Sequence, residues 1–370
     1  MESPATVKEG PPVLPLATCP MRAVILAGGE GTRLRPLTLS TPKPVVPVVD
    51  RPFLRHQLDL LARVGIREVV FSVAYRPERV EAVFGDGSAL GLRIRYAVEE
   101  TPLGTGGAVK NALPFLDERT VVMNGDILTD VDLAEVVARH EEEGASASIL
   151  LTPVPNPAAY GLVETDASGR VLRFLEKPRP EQITTNTINA GIYVLETRTL
   201  ELMPGGVNHS IERAFFPDLL ARGDRVLGPV HRGYWIDIGT PEKYLQVHRD
   251  VLHRRFAVTL DGVARDGGFV HPSARVSEEA ILDGHFYVGP GCVVEAGARL
   301  GPDAVLVADV HAGKGAYLRD SVLWRGAEAS ADCDVQGSLV GPGVRIGRSS
   351  VLRNAVLGEG SSLSDFSRAL

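Results

Sequence analysis

Apolar runs and amphipathic stretches alternate along the first two thirds of the chain. Ala23-Val-Ile-Leu-Ala27 is a short continuous apolar run that stops at Gly28-Gly29, the pattern of a buried parallel strand entering a glycine loop. Leu54–Val64 reads as an amphipathic helix before the strand-like Val69-Val-Phe-Ser-Val73, and Pro77–Phe84 as a helix before Leu92–Val98. Val121-Val-Met123, the helical Leu133–Glu142 and Ala147–Leu151 continue the alternation. Strands separated by helices of this length need crossover connections. The pattern therefore predicts an α/β domain with a mostly parallel sheet covered on both faces, closed by the helical stretch Pro241–Arg255.

Beyond that stretch the period changes. Val270, Val276, Leu282, Val288, Val294, Leu300 and Leu306 recur every six residues, with Gly, Pro, Ala and Ser filling many positions between them. A period of six suits neither a helix nor a plain strand. It suits a solenoid coil with three flat faces, one aliphatic side chain pointing inward from each. The register slips after Leu306 and returns at Val340, Ile346 and Leu352. A Gly-rich β-sandwich is the competing reading, and an unbroken series of this length argues against it. The repeat resembles the left-handed parallel β-helix of hexapeptide-repeat proteins, running from about Phe269 to Leu363. Three segments follow: a flexible, Pro-rich N-terminal tail over residues 1–20, an α/β domain over 21–255, and a linker with the β-helix over 256–370.

Composition narrows the function. The 370 residues are 44% hydrophobic and 23% charged, enough apolar surface for packed domains and too much for a disordered chain. Lys and Arg number 39 against 46 Asp and Glu, a net charge of −7 that argues against nucleic acid or an anionic membrane as partner. Any anionic substrate must be held by a local cluster of amides and cations. No apolar run reaches the roughly 18 residues of a membrane span, and the first twenty residues lack a signal-peptide apolar core. Cys19, Cys292 and Cys333 lie far apart without CxxC spacing, so neither a zinc site nor a disulfide framework is indicated. A reducing, cytoplasmic setting is expected.

The densest chemistry lies in Leu26-Ala-Gly-Gly-Glu-Gly-Thr-Arg-Leu-Arg-Pro-Leu-Thr38, followed by Pro42-Lys43-Pro44. Glycine amides after a first strand can line a phosphate, and Arg33, Arg35 and Lys43 add three cations to one loop. It is neither a dinucleotide fingerprint, since Thr32-Arg33 stands where a third glycine belongs, nor a Walker loop, since no Gly-Lys-Ser/Thr follows. The signature resembles that of the sugar nucleotidyltransferases (NDP-sugar pyrophosphorylases), which join an NTP to a sugar 1-phosphate and release pyrophosphate. The likeness extends through Asn124-Gly-Asp126, Phe174-Leu-Glu-Lys-Pro178, Asn189-Ala-Gly191 and Trp235-Ile-Asp-Ile-Gly239, from about Met21 to Asp250. The Glu-Glu-x-Pro-Leu-Gly-Thr, Asn-Ala-Gly-Ile-Tyr and Asp-Ile-Gly-Thr-Pro segments are most similar to those of mannose-1-phosphate guanylyltransferases.

The resemblance implies a Rossmann-like catalytic domain, and GTP and mannose 1-phosphate as substrates. It places Leu26, Ala27, Gly28, Gly29, Gly31, Thr32, Arg33, Glu99, Gly104 and Thr105 at the nucleotide. Gly161, Glu176, Lys177, Asn189 and Gly191 fall at the sugar phosphate, and Tyr160 with Gly161 frames the hexose. Arg33, Lys43, Asp126, Lys177 and Asp237 are the implied catalytic set, with Asp126 and Asp237 holding Mg²⁺. Read from the residues alone, Asp126 is equally a turn residue, Asp237 a helix cap before Pro241, and Glu176-Lys177 a solvated pair at a strand end. The two Asp motifs occurring together favour the metal.

The base is argued from hydrogen bonds. Relatives that use thymine or uracil often carry Gln where Glu99 stands, and a Gln amide matches a pyrimidine's alternating edge. Guanine offers N1–H and N2–H₂ side by side, for which a carboxylate is the complement. Glu99 capping the chain, pointing to solvent, or yielding its place to Glu100 are the alternatives. Competing functions are a thymidylyl- or uridylyltransferase acting on glucose 1-phosphate, and a non-catalytic regulatory subunit that binds sugar nucleotides. An added acetyltransferase activity lacks a placed His. The histidines are assigned no role, Cys292 and Cys333 read as small hydrophobes, and a β-helix with open ends, together with Trp324 off the repeat register, suggests self-association into a homo-oligomer.

Overall fold

The computed structural model describes residues 21–265 and 267–370; the expected tail, with Cys19, lies outside the described residues. Strand Arg22–Leu26 lies at the middle of the first sheet because both its faces are apolar. Ala23 and Ile25 enter one core and Val24 the opposite one, all fully buried. Glu68–Val73 and Arg119–Asn124 pair with it in parallel on either side, and Arg93–Val98 extends the parallel run. Helices Phe53–Arg63, Pro77–Phe84 and Gly104–Ala112 lie between these strands in the chain. The glycine loop and Asn124-Gly125-Asp126 thus leave the carboxyl ends of neighbouring parallel strands, where open α/β sheets place their ligands. At Gly125 a Cβ would sit 2.5 Å from the Leu26 carbonyl oxygen, so only glycine lets the two ends meet.

Beyond Arg119–Asn124 the sheet turns antiparallel. Thr187–Glu196 pairs with it and with Ala147–Pro153, and Gly161–Thr165 with Val171–Glu176 forms a flanking hairpin. The strands from Ala147 to Glu196 are joined by turns and single 3₁₀ turns, too short for a crossover, so neighbours must reverse direction. The parallel half carries the glycine loop and the antiparallel half faces it.

From Gly268 to Ala369 short strands stack into three parallel sheets, the arrangement of a β-helix. Val270, Val288, Leu306, Leu323, Val340 and Leu357 form one inward ladder; Leu282, Leu300, Leu318, Val335, Leu352 and Ala369 another. The register slip has a local cause. Leu306 follows Leu300 by six positions, whereas Leu323 follows Leu318 by five, because the corner Arg319-Asp320-Ser321 is one residue tighter. Ala312 and Ala329 fill inward positions with little apolar bulk, which hides the period in that stretch.

The β-helix is not an independent rod. Tyr287, Val305, Val322 and Leu339 point outward from its first face into the same core as Tyr244, Val247 and Val251 of helix Pro241–Leu252. Arg249 binds both oxygens of Asp320, at 2.6 and 2.7 Å. Trp324 is 3% exposed and meets the Tyr244 ring edge-on at 6.2 Å. The expectation that Trp324 marks self-association is therefore corrected: its apolar surface is used within the chain. No helix among the described residues is long and apolar enough to cross a membrane.

Candidate active site

The end of strand Arg22–Leu26 opens into a cavity of about 430 Å³. Leu26, Ala27, Gly28, Gly29, Gly31, Thr32, Arg33, Glu99, Gly104 and Thr105, the residues expected at the nucleotide, all line it, and so does Lys43. Gly31 takes φ +64°, and a Cβ there would press on Thr38 and Lys43 at 3.2 and 3.3 Å, so the loop closes only with glycine. A second cavity of about 500 Å³ is lined by Gly161, Glu176, Lys177, Asn189 and Gly191, together with Tyr160, Trp235 and Asp237. The two share Arg33, Asn124 and Asp126. They form one cleft with a common seam.

Charge is concentrated at that seam. Lys43 is nearly buried, and its ammonium lies 2.9 Å from Asp126 Oδ2. Burial pushes the Asp126 carboxyl up, but the charges of Lys43, Arg33 and Lys243 outweigh it and hold the group below the usual carboxylate range. Strand Trp235–Asp237 pairs antiparallel with Ile127–Thr129, Asp237 opposite Ile127, and the Ile238 N–H donates to the Asp126 carbonyl at 2.9 Å. Backbone pairing thus clamps the two aspartate positions side by side, though they stand 111 positions apart in the sequence. Asp237 Oδ1 accepts from the Tyr160 hydroxyl at 3.0 Å and pairs with Lys243. Burial lowers the Lys243 ammonium, and Asp237 and Tyr160 reverse this, leaving it above its ordinary value.

On the sugar side, burial and the charge of Glu212 raise the Glu176 carboxyl against the opposing pull of Lys177 and Arg213. Lys177 is exposed and held at φ +51°, a conformation that costs a non-glycine residue about 1–3 kcal/mol. Its N–H donates to the Tyr160 carbonyl at 3.0 Å, which fixes the strained turn. Asn189 spends its own amide internally: Oδ1 accepts from the Gly191 N–H at 2.9 Å and Nδ2 donates to the Tyr193 hydroxyl at 2.8 Å.

Glu99 is buried in the wall of the first cavity, whereas Glu100 is exposed, so the one-residue slip finds no support. The capping alternative is partly realised. Glu99 Oε1 accepts from the Ser72 hydroxyl at 2.9 Å, and Oε2 from the Leu103 N–H at 3.0 Å. A carboxylate has about four lone-pair positions, so capacity remains on the cavity side. No histidine lines either cavity. His248 is a core residue accepting from the Val49 N–H at 3.2 Å, His253 binds Asp303, and Cys292 and Cys333 are buried and free.

Two lining residues escape the sequence reading. Lys243 sits in the first turn of helix Pro241–Leu252, where a cation opposes the helix dipole; that misfit was an available signal. Glu212 follows Ser210 at a helix start and reads as ordinary N-terminal capping chemistry, which hides it.

Among the described residues no group of three or more His, Cys, Asp and Glu is placed to hold a metal unaided. The Asp126–Asp237 pair fits a hard cation that takes its remaining oxygens from substrate phosphates. Each carboxylate has one oxygen on a lysine, and no hydrogen bond among the described residues engages Asp126 Oδ1 or Asp237 Oδ2.

Residues 22–254 match the family described as Nucleotidyl transferase, and residues 283–367 that described as GMPPB C-terminal domain. The chain is 41% identical over 323 residues to a mannose-1-phosphate guanylyltransferase of Mycobacterium tuberculosis, covering 87% of this chain and 84% of the relative. It is 32% identical to a UTP–glucose-1-phosphate uridylyltransferase of Synechocystis, covering 88% and 86%. The crystal structure of HddC from Yersinia pseudotuberculosis complexed with GMP-PN superposes with a TM-score of 0.54 at 29% identity, over 62% of this chain and 98% of that one.

Proposed function

The chain belongs to the nucleotidyl transferase family, and we propose that it is a mannose-1-phosphate guanylyltransferase, transferring GMP from GTP to mannose 1-phosphate with release of pyrophosphate. The observation that carries the site assignment is the shared seam: one cavity of nucleotide-loop residues and one of sugar-pocket residues meet at Arg33, Asn124 and Asp126. In that cleft a phosphate oxygen of the sugar attacks the α-phosphorus, the bond to the β-phosphate oxygen breaks, and pyrophosphate leaves. No enzyme nucleophile is needed; the protein positions two anions and neutralises their charge.

The glycine-loop amides and Arg33 take the triphosphate, and Lys43 stands beside Asp126 at the reacting end. Glu176 accepts sugar hydroxyls and the exposed Lys177 ammonium meets the sugar's phosphate. Asp126 and Asp237 hold Mg²⁺, which when bound supplies charge neutralisation at the phosphates. Free buried thiols at Cys292 and Cys333 support a reducing, cytoplasmic setting. A homo-oligomer, read by size-exclusion with light scattering, belongs to the same proposal.

The regulatory-subunit reading requires loss of a loop cation or an aspartate, and Arg33, Lys43, Asp126 and Asp237 all line the cleft. The test is pyrophosphate release with each NTP crossed against mannose, glucose and N-acetylglucosamine 1-phosphates. GTP with mannose 1-phosphate is expected to exceed every other pair; a preference for UTP or dTTP with glucose 1-phosphate would replace this reading with the alternative.

A further inference from the structure

Glu212 lines the sugar cavity and also takes a hydrogen bond from the nucleotide wall. Its Oε2 accepts from the Thr105 hydroxyl at 2.7 Å and from the Ser210 hydroxyl at 2.8 Å. Thr105 belongs to the first turn of helix Gly104–Ala112 and lines the nucleotide cavity, whereas Glu212 lines the sugar cavity. The Thr105 hydroxyl also accepts from the Ile211 N–H at 3.0 Å, so the contact between the two segments is doubly made. From the sugar side the chain Asn189 Nδ2 to Tyr193 hydroxyl to Glu212 Oε1 ends on the same carboxylate, its last link long at 3.5 Å. Oε2 is therefore saturated by fixed donors, while Oε1, engaged only by the long Tyr193 contact, keeps acceptor capacity on a residue that lines the sugar pocket.

We propose that Glu212 is a positioning residue coupling nucleotide to sugar-phosphate binding: the nucleotide helix fixes its carboxylate through Thr105, and the other oxygen, through Tyr193 and Asn189, then orders the pocket that receives the hexose. This rests on the function proposed above and adds a residue and a direction of influence to it. The charge of Glu212 already reaches Glu176 across that pocket, raising its carboxyl after burial has done so. A change at Thr105, on the nucleotide wall, should accordingly be felt by the sugar. Thr105→Val keeps the side-chain volume and removes both hydroxyl contacts.

The experiment is steady-state kinetics on the full chain for wild type, Thr105→Val, Thr105→Ser, Glu212→Gln and the Val/Gln double variant, with thermal melts to establish folding. GTP affinity is measured separately by calorimetry without sugar phosphate. Coupling free energies between sites typically correspond to about 5- to 150-fold. Thr105→Val and Glu212→Gln should each raise the KM for mannose 1-phosphate about tenfold, on the scale of such couplings, and Glu212→Gln, which lies outside the nucleotide set, should leave the GTP Kd within about twofold. Thr105→Ser should restore the wild-type value, and the double variant should be no worse than the worse single one.

A sugar KM unmoved in Thr105→Val, or single effects that multiply in the double variant, would overturn the coupling. Should either single variant fail to fold, Thr105→Ala, which also lacks the hydroxyl, or Glu212→Asp, whose shorter side chain keeps the charge and retracts from Thr105, carries the same comparison. Failure of the function itself would appear in the wild type, as no pyrophosphate from GTP and mannose 1-phosphate. The coupling is then read with whichever NTP and sugar phosphate the wild type does accept.

Discussion

Replacing Glu99 with Gln tests the base assignment, and the structure says how the new amide must sit. The Leu103 N–H, now 3.0 Å from Oε2, can only donate, so it keeps the amide oxygen on its side. The NH₂ group is left in the Oε1 position beside Ser72. The serine hydroxyl can rotate to accept from it, turning its own proton toward the Ala108 carbonyl 3.5 Å away. The fold therefore loses little, about 1 kcal/mol or less for one hydrogen bond exchanged for a longer one. Toward the base the result differs. Where guanine presents N1–H and N2–H₂ to a carboxylate, an NH₂ group now meets one of them, leaving a buried donor unpaired at a cost of about 1–3 kcal/mol, or roughly five- to 150-fold. kcat/KM for GTP should fall by that order while UTP and dTTP hold or gain, with the KM for sugar 1-phosphate nearly unchanged. The assay is kcat/KM for each NTP at saturating sugar phosphate, with a melt on both proteins. A GTP-to-dTTP ratio equal to wild type would show that Glu99 serves only as the Ser72–Leu103 tether.

Asp126→Asn and Asp237→Asn should each abolish pyrophosphate release in Mg²⁺, since charge neutralisation at the leaving pyrophosphate needs both carboxylates; near-normal turnover removes that residue from the metal site. Both variants strip the counter-charge of a lysine, but Asp237→Asn is the cleaner because Lys243 is half-buried whereas Lys43, on Asp126, is nearly buried. Burial, joined by the charge of Arg51, lowers His56 to about 4, and burial with His56 lowers His248 to about 3. Both native values lie below the unfolded imidazole's 6.5, so the stability they represent is fully present above that pH and is lost as pH falls from there to about 4 for His56 and about 3 for His248. Unfolding free energies from urea titrations at pH 7.5 and 5 should differ by a few kcal/mol in the wild type, and a His56→Gln/His248→Gln variant with the same difference would refute the cause. Trp324→Ala should cost about 3–5 kcal/mol as a large buried ring is removed, read as a fall in Tm. Truncation after residue 255 should yield insoluble protein, because Tyr244, Val247 and Val251 lose their cover; a soluble truncate with a native-like melt would contradict the shared core.

That truncation is also where sequence and structure part company. The period of six was legible because each inward aliphatic sits at a position set by its own coil, and the slip after Leu306 was visible though its cause was not. The residues between the inward ones, Tyr287 and Val305 among them, carry no periodic signal that separates an outward contact from a solvent face. Only the packing against Tyr244 shows that the repeat completes a core instead of standing apart.

The same division runs through the site. Gly28-Gly29, Gly31, Arg33 and Lys43 lie in one loop, and their chemistry was readable because a phosphate-binding turn is local: backbone amides, glycine dihedrals and nearby cations occur within a few residues. Asp126 and Asp237 were readable as motifs, but their adjacency depends on the pairing of Ile127–Thr129 with Trp235–Asp237. Lys243 on Asp237 and Glu212 between Thr105 and Tyr193 depend on side chains from distant segments arriving at one point. A linear pattern records which face of an element is apolar and where a turn must bend. It does not record which polar groups meet across a cleft, because that is set by sheet register and helix placement acting over the whole chain.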